Sequence, residues 1–292
     1  MKRPRLLAAL ACLALLLAAP LGARPALWTV KDADTTIYLF GTVHLLPHDA
    51  DWHYPALDQA LAASRALYIE LTDDGQANMT ALVLRYGLDP SHPLSAQLSQ
   101  ADQGRLARAA QLANVPGGSG ALNIMRPWLA ALTLAVAPLT QAGLDPALGV
   151  DKQLRAAAEK AGKPVEGLES AEQQIRFLAD MPSALQLALL RATLHDTDRA
   201  KVELKALIEA WKRGDDAAIA RLENDTLRKE EPQLYQRLLV TRNEDWARRI
   251  KAMLDRPGTV FIAVGAAHLA GPDSVQAQLG KLGVAATREQ AP

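Results

Sequence analysis

Four stretches of the chain are almost continuously apolar, β-branched or aromatic: "LWTV" (27–30), "TTIYLF" (35–40), "ALYIEL" (66–71) and "GTVFIAV" (258–264). Polar residues bound them, a pattern that predicts strands, and "VKDADTT" between the first two reads as a hairpin connection. "GTVFIAV" lacks the alternation of a half-exposed strand and fits one buried on both faces, as in a helix-covered sheet. "PVEGL" (164–168) and "GVAATRE" (283–289) predict shorter, weaker strands. Elsewhere, apolar residues recur at three- and four-residue spacing and predict helices over 95–115, 151–162, 198–214 and 244–258, with a flexible break at "PGGSG" (116–120). Strands at both ends and helices between them predict an α/β chain. Its central sheet is formed by the N- and C-terminal strands, with a large helical section in the middle, and residues 24–292 make one domain.

The first residues belong to a different pattern. Lys2, Arg3 and Arg5 precede an unbroken apolar run from Leu6 to Ala19, ended by Pro20 and the small residues Gly22 and Ala23. A basic start, an apolar run too short to span a bilayer and a small-residue exit predict a secretory signal peptide over 1–23, cleaved after Ala23. Export to the periplasm or the medium follows, with no stable membrane anchor after cleavage. The one cysteine, Cys12, lies inside the apolar run, so a processed chain carries no disulfide, no Cys-ligated zinc and no thiol nucleophile. Residues 1–23 hold three basic side chains and no acidic one, so the formal balance of zero becomes −3 without them. Nothing in that charge invites nucleic acid.

Candidate chemistry comes from a repeat. "IYLFGTVHL" and "FIAVGAAHL" share one plan: four apolar strand residues, Gly, two residues, His, Leu. Glycine at a strand end permits a turn or a close backbone approach, and the crevice beyond the carboxyl ends of α/β strands is where ligands bind. His44 and His268 are delivered in the same way and, if their strands are neighbours, are expected to converge on one site. Glu70, at the end of "ALYIEL", projects toward the same crevice if its strand is adjacent. Two histidines and a carboxylate suit a divalent metal that activates water, and equally suit metal-free chemistry with one histidine as general base. A histidine at a strand end more often bonds backbone, and Glu70 alone reads as a salt-bridged strand terminus; the repetition is what favours a site.

Other polar residues weigh less. "VTRNEDW" puts Arg242 and Asn243 at the apparent start of a helix, where Asn is a natural cap and Arg242 can face a developing oxyanion. Asp151 in "GVDKQL" and Glu169 in "VEGLES" sit beside glycines; helix capping accounts for Asp151, and both rank low. His48 and His53 follow His44 in its loop, His92 reads as a turn and His195 as a solvated helix end. No GxSxG, HExxH, P-loop or GxGxxG motif is present.

With "LFGTVHLLP", "YIEL", "GVDKQL", "VEGLES", "TRNEDW" and "VFIAVGAAHLAG" in this order, the sequence resembles the TraB/PrgY/GumN family, in its GumN-like bacterial branch. That family includes the TIKI proteins and is related to erythromycin esterases and haem-binding lipoproteins. The resemblance implies a metal-dependent protease centre on His44, Glu70 and His268, using Mn²⁺ or Co²⁺, with Zn²⁺ also suitable, and with Arg242 and Asn243 as motif residues. The expected function is therefore an exported hydrolase, a metal-dependent peptidase acting on a peptide or other small substrate in the crevice. A metal-free esterase-like hydrolase, or a non-catalytic haem-, metal- or peptide-binding protein using the same crevice, are the alternatives.

Overall fold

β-branched and apolar runs near both ends of the chain assemble into one mixed sheet. A computed structural model describes residues 24–48, 50–141, 143–196 and 200–289; the expected leader, residues 1–23, lies outside them. The strands are β1 (Leu27–Lys31), β2 (Thr35–Thr42), β3 (Leu67–Ile69), β4 (Val165–Gly167), β5 (Gly258–Gly265) and β6 (Ala286–Arg288), in spatial order β4-β3-β5-β2-β1-β6. β2, β5, β3 and β4 run parallel, whereas β1 pairs antiparallel with both β2 and β6. The N- and C-terminal strands therefore meet at the centre, as their composition predicts.

Helix α1 (Pro55–Ala63) precedes β3. Between β3 and β4 run α2 (Gln76–Gly87), α3 (Leu94–Gln97), α4 (Gln100–Leu112), α5 (Gly118–Asn123), α6 (Pro127–Gln141) and α7 (Val150–Lys160). Between β4 and β5 come α8 (Ala171–Ala179), α9 (Ser183–Asp196), α10 (Ala200–Lys212), α11 (Asp216–Ile219), α12 (Asp225–Glu230), α13 (Pro232–Tyr235) and α14 (Thr241–Met253). Last, α15 (Val275–Lys281) separates β5 from β6. The periodic stretch 95–115 divides into α3 and α4 because Ser99 accepts the Asp102 N–H and caps a fresh helix. "PGGSG" is a sharp bend rather than an open break: Gly117 and Gly118 take φ of 78° and 59°, and the chain re-enters helix at once.

Both faces of the sheet are covered, which is why β5 needs no polar side. Phe261 and Ala263 pack with Leu57 of α1, Leu154 of α7 and Trp211 of α10. The alternate residues Val260, Ile262 and Val264 pack with Trp246 and Ile250 of α14 and Leu279 of α15. The remaining helices bury separate apolar clusters of their own, one around Leu106, Leu134 and Leu190, another around Trp128, Ile175 and Leu234. The carboxyl ends of β2, β3 and β5 lie side by side, and all three lead into the same crevice.

Candidate functional site

Close packing explains the two glycines of the repeat. A Cβ on Gly41 would lie 3.1 Å from the Ala266 Cα, so the end of β2 admits no side chain beside the turn that leaves β5. A Cβ on Gly265 would lie 3.2 Å from Glu70 Oε1, 3.6 Å from His268 Cδ2 and 3.9 Å from His44 Nε2. The three residues expected to converge do so, over the bare α-carbon of Gly265.

They converge in different states. His44 leaves the end of β2 with its side chain 61% exposed, and its Nδ1 meets Asp151 Oδ1 at 3.2 Å. Asp151 belongs to the first turn of α7, whose start is tied to the His44 loop by the Val150 N–H bonding Val43 O at 2.9 Å. Hydrogen bonding to Asp151 raises the His44 pKa above 6.5; burial opposes the rise and Glu70 adds to it. Because Asp151 takes Nδ1, Nε2 is left to the crevice.

Glu70 is held ionised. Its Oε1 accepts the Gly265 N–H at 2.8 Å, and its Oε2 accepts Arg242 at 2.7 Å and Gln174 Nε2 at 3.1 Å. Burial alone pushes this carboxyl upward, but the Arg242 charge, with His44 and the Gly265 hydrogen bond, overrides it and brings the pKa down to about 2. Arg242 in turn grips Glu169 through a two-pronged contact, Nε to Oε1 and Nη2 to Oε2, each 2.8 Å. Its Nη1 donates to Leu238 O at 3.3 Å and to His268 Nε2 at 3.1 Å. All five guanidinium N–H groups have acceptors, and the group also stacks over Trp246 at 4.7 Å. Burial raises the Glu169 carboxyl against the opposing pull of Arg242.

His268 is 6% exposed and both ring nitrogens are engaged. A guanidinium only donates, so Nε2 is the acceptor and the ring proton must sit on Nδ1, which donates to Asn243 Oδ1 at 2.6 Å. Asn243 is fully buried, and its Nδ2 bonds Asp273 O at 2.8 Å. Burial pushes the His268 pKa down to about 3, against Glu70 and with Arg242, so the ring is neutral. Asn243 therefore fixes a tautomer and caps nothing: α14 continues directly from a π-helical turn over Gln236–Val240 and has no free first turn.

This donor set does not fit the divalent ion expected on His44, Glu70 and His268. The His268 lone pair is taken by Arg242, and the same guanidinium occupies Glu70 Oε2, where a cation would bind. Among the described residues no group of three or more His, Asp or Glu side chains is placed to hold an ion. Nor is Arg242 free for an oxyanion, since every donor it has is spent inside the protein.

A cleft of about 260 Å³ opens at His44, lined also by Thr42, Glu70, Asp151, Lys152, Arg155 and Gln174. Thr42 is 2% exposed, and its buried hydroxyl has no hydrogen-bond partner among the described residues. Asp151, Glu169 and Thr42 are thus the residues that reading the sequence undervalued or passed over. His48 lies 4.0 Å from Asp145 and His53 bonds Asp58 at 2.9 Å, outside the cleft. His92 sits in a turn and His195 on the exposed end of α9.

Residues 26–288 match the TraB/PrgY/gumN family, and the chain belongs to it. It is 30% identical over 265 residues to a protein of Escherichia coli (strain K12) described as "Uncharacterized protein YbaP", covering 87% of this chain and 92% of that protein. The protein of the same description from Shigella flexneri is similar to the same extent. No solved structure matches the chain.

Proposed function

We propose that this member of the TraB/PrgY/gumN family is an exported hydrolase that cleaves an acyl bond, ester or peptide, with His44 as general base. The observation that carries the reading is the shared space over Gly265, flanked by His44 Nε2 and the ionised Glu70 Oε1. A water held between them is polarised from both sides. As its oxygen attacks the acyl carbon, Nε2 accepts its proton, and the imidazolium returns that proton to the leaving group when the tetrahedral intermediate collapses. Asp151 holds the imidazole with Nε2 forward and stabilises the imidazolium, as in other base–orienter pairs.

The developing oxyanion needs donors that are not already committed. Lys152 is the cleft side chain that meets this condition among the described residues, and it takes the role the sequence assigned to Arg242. Arg242, Glu169, His268 and Asn243 act as the frame: they keep Glu70 charged and fixed, so that it needs no reorganisation during the reaction. The leader over 1–23 accounts for export to the periplasm or medium, and no helix among the described residues is long and apolar enough to cross a membrane.

The test is hydrolysis of ester and peptide libraries by protein dialysed against a chelator, with and without added Mn²⁺ or Co²⁺. Turnover that survives chelation and disappears in His44→Ala supports the proposal. Turnover that appears only with added metal would overturn it in favour of the metal-dependent peptidase. A protein that turns over nothing but binds peptide or haem tightly would be a binding module.

A further inference from the structure

Gly265 and His268 belong to one short segment, gripped from the side away from the cleft. β5 ends at Gly265, a 3₁₀ turn runs over Ala266–Leu269, and the chain passes Gly271 and Asp273 before α15. Gly265 gives its N–H to Glu70 Oε1, and His268 accepts from Arg242, which bonds Glu70 Oε2. Two of the holds on Glu70 therefore depend on where this one turn lies. A 3₁₀ turn of this length has poor hydrogen-bond geometry and needs outside support to stay in place.

The support comes from two π-helical turns. The first, Ala220–Asn224, joins α11 to α12 and ends on Asn224, which is 3% exposed. Asn224 Nδ2 donates to Ala267 O and to Ala270 O, each at 3.0 Å, so both of its hydrogens go to carbonyls that flank His268. Gly271, at φ 84°, passes close over the same turn: a Cβ there would lie 3.3 Å from Ala220 Cβ and 3.8 Å from Asn224 Nδ2. The second π-helical turn, Gln236–Val240, follows Tyr235, whose hydroxyl donates to Asp273 Oδ2 at 3.0 Å. It leads to Asn243, which holds both Asp273 O and His268 Nδ1. Ala267 packs with Tyr235, Leu239, Val240 and Leu227 in one apolar cluster. Turns of this kind are rare and concentrate at functional sites, because the extra residue re-aims a side chain. Here two of them aim side chains at one segment.

We propose that Asn224 is a positioning residue of the cleft: it fixes the turn that carries Gly265 and His268, and through them the Glu70 carboxylate, while Tyr235 fixes the far end of the same segment. Neither side chain lines the cleft, so both act through others. Asn224 holds this turn whether or not the cleft is hydrolytic; only its effect on turnover rests on the proposed reaction.

The experiment compares the native chain with Asn224→Asp, Asn224→Ala and Tyr235→Phe by ¹⁵N NMR, amide hydrogen exchange and ester turnover. Native His268 should show one neutral tautomer, with the proton on Nδ1, and the Gly265 amide should exchange slowly. Asn224→Asp puts an oxygen where the nitrogen donated. It should mix the His268 tautomers and speed Gly265 exchange at least about tenfold, while the amides of α4 keep their native rates. On any ester the native protein cleaves, kcat should fall about 100-fold with KM little changed, the effect of a misplaced group rather than of lost binding. Tyr235→Phe keeps the ring and should move the same readouts in the same direction by less. If Asn224→Asp does not fold, Asn224→Ala and Tyr235→Phe carry the comparison. A lowered melting temperature with the native His268 tautomer and native Gly265 exchange would make Asn224 an ordinary structural residue and overturn the proposal. Exchange that rises equally in α4 and at Gly265 would do the same. A native protein that cleaves no ester or peptide counts against the proposed reaction, and the tautomer and exchange measurements then decide the role of Asn224.

Discussion

Replacing Arg242 by methionine tests whether charge, rather than bulk, is what this side chain contributes. Methionine retains much of the volume over Trp246 and removes the guanidinium. In the native protein the Glu70 carboxyl is brought from its ordinary 4.5 to about 2, with Arg242 as the chief force against burial. A pKa lowered by folding is stability fully present above 4.5 and lost as the pH falls toward 2, and this gap corresponds to roughly 3 kcal/mol. In the variant, burial governs both Glu70 and Glu169, so both pKa values rise. The sign then reverses: each carboxyl contributes stability below its unfolded value and costs stability as the pH climbs through its folded one. The expected deficit at about pH 7.5 is about 3–5 kcal/mol, that of a broken buried pair, and it shrinks as the pH is lowered to about 4.5. Urea unfolding at a series of pH values measures it, and removing one carboxylate as well (Arg242→Met with Glu169→Gln) should recover part of the loss at neutral pH. A deficit that stays constant across the pH range would mean that lost packing, not unpaired charge, is the cause, and would refute the electrostatic account.

Three further outcomes follow from the cleft. With His44 raised above 6.5 chiefly by Asp151, the rate–pH profile should rise through an inflection above that value, because a general base works unprotonated. Asp151→Asn should move the inflection down and lower kcat/KM by about 100-fold; an unmoved inflection would remove Asp151 from the mechanism. Gly265→Ala puts a methyl group 3.2 Å from Glu70 Oε1, and should abolish turnover while costing about 1–3 kcal/mol, read from a thermal melt. Thr42→Val removes a buried hydroxyl that has no hydrogen-bond partner among the described residues, so stability should hold or rise with turnover unchanged; a loss of stability above about 1 kcal/mol would show that the hydroxyl has a structural partner.

The sheet was readable because its pattern is local. "GTVFIAV" is apolar at successive positions, rich in β-branched residues and flanked by Gly258 and Gly265, a pattern that fits a short strand covered on both faces. The frame of the site was not readable in the same way. Asp151 lies 107 residues from His44, and Glu169 lies 73 from Arg242; capping offers an adequate local explanation of Asp151, and Glu169 carries no local signal beyond its neighbouring glycine. Asn243 misled for the same reason, since a helix that grows out of a π-helical turn shows no sequence break before it. The missing information is which acceptor sits across the crevice, and no spacing rule supplies that. A sequence clue did exist in their neighbours: a Cβ on Gly149 would lie 2.8 Å from both Asp151 Oδ1 and His44 O, so that glycine serves the site as much as the helix.

The repeat itself was read as two equivalent halves, and the register shows why they are not. If the motifs matched in space, Gly41 would pair with Gly265. Instead Gly41 pairs with Val264 and Thr42 with Gly265, one residue out of step. A one-residue offset sends corresponding side chains to opposite faces of a sheet. Accordingly Phe40 packs with Trp211 and Phe261, while its counterpart Val264 packs with Trp246 and Ile250. The same offset leaves His44 exposed beside α7 and turns His268, through a 3₁₀ turn over Ala266–Leu269, into the flank of α14. The two histidines should therefore fail differently. His268→Ala removes one of the two acceptors of Arg242 Nη1 and the donor to Asn243 Oδ1 and opens a void beside Trp246, for an expected loss of about 3–5 kcal/mol in urea unfolding. His44→Ala removes an exposed side chain with one ionic contact and should change stability by less than about 1 kcal/mol while abolishing turnover. Equal destabilisation by the two substitutions would mean that the motifs are equivalent after all, and the staggered register would no longer explain how one sequence pattern yields one reacting histidine and one structural histidine.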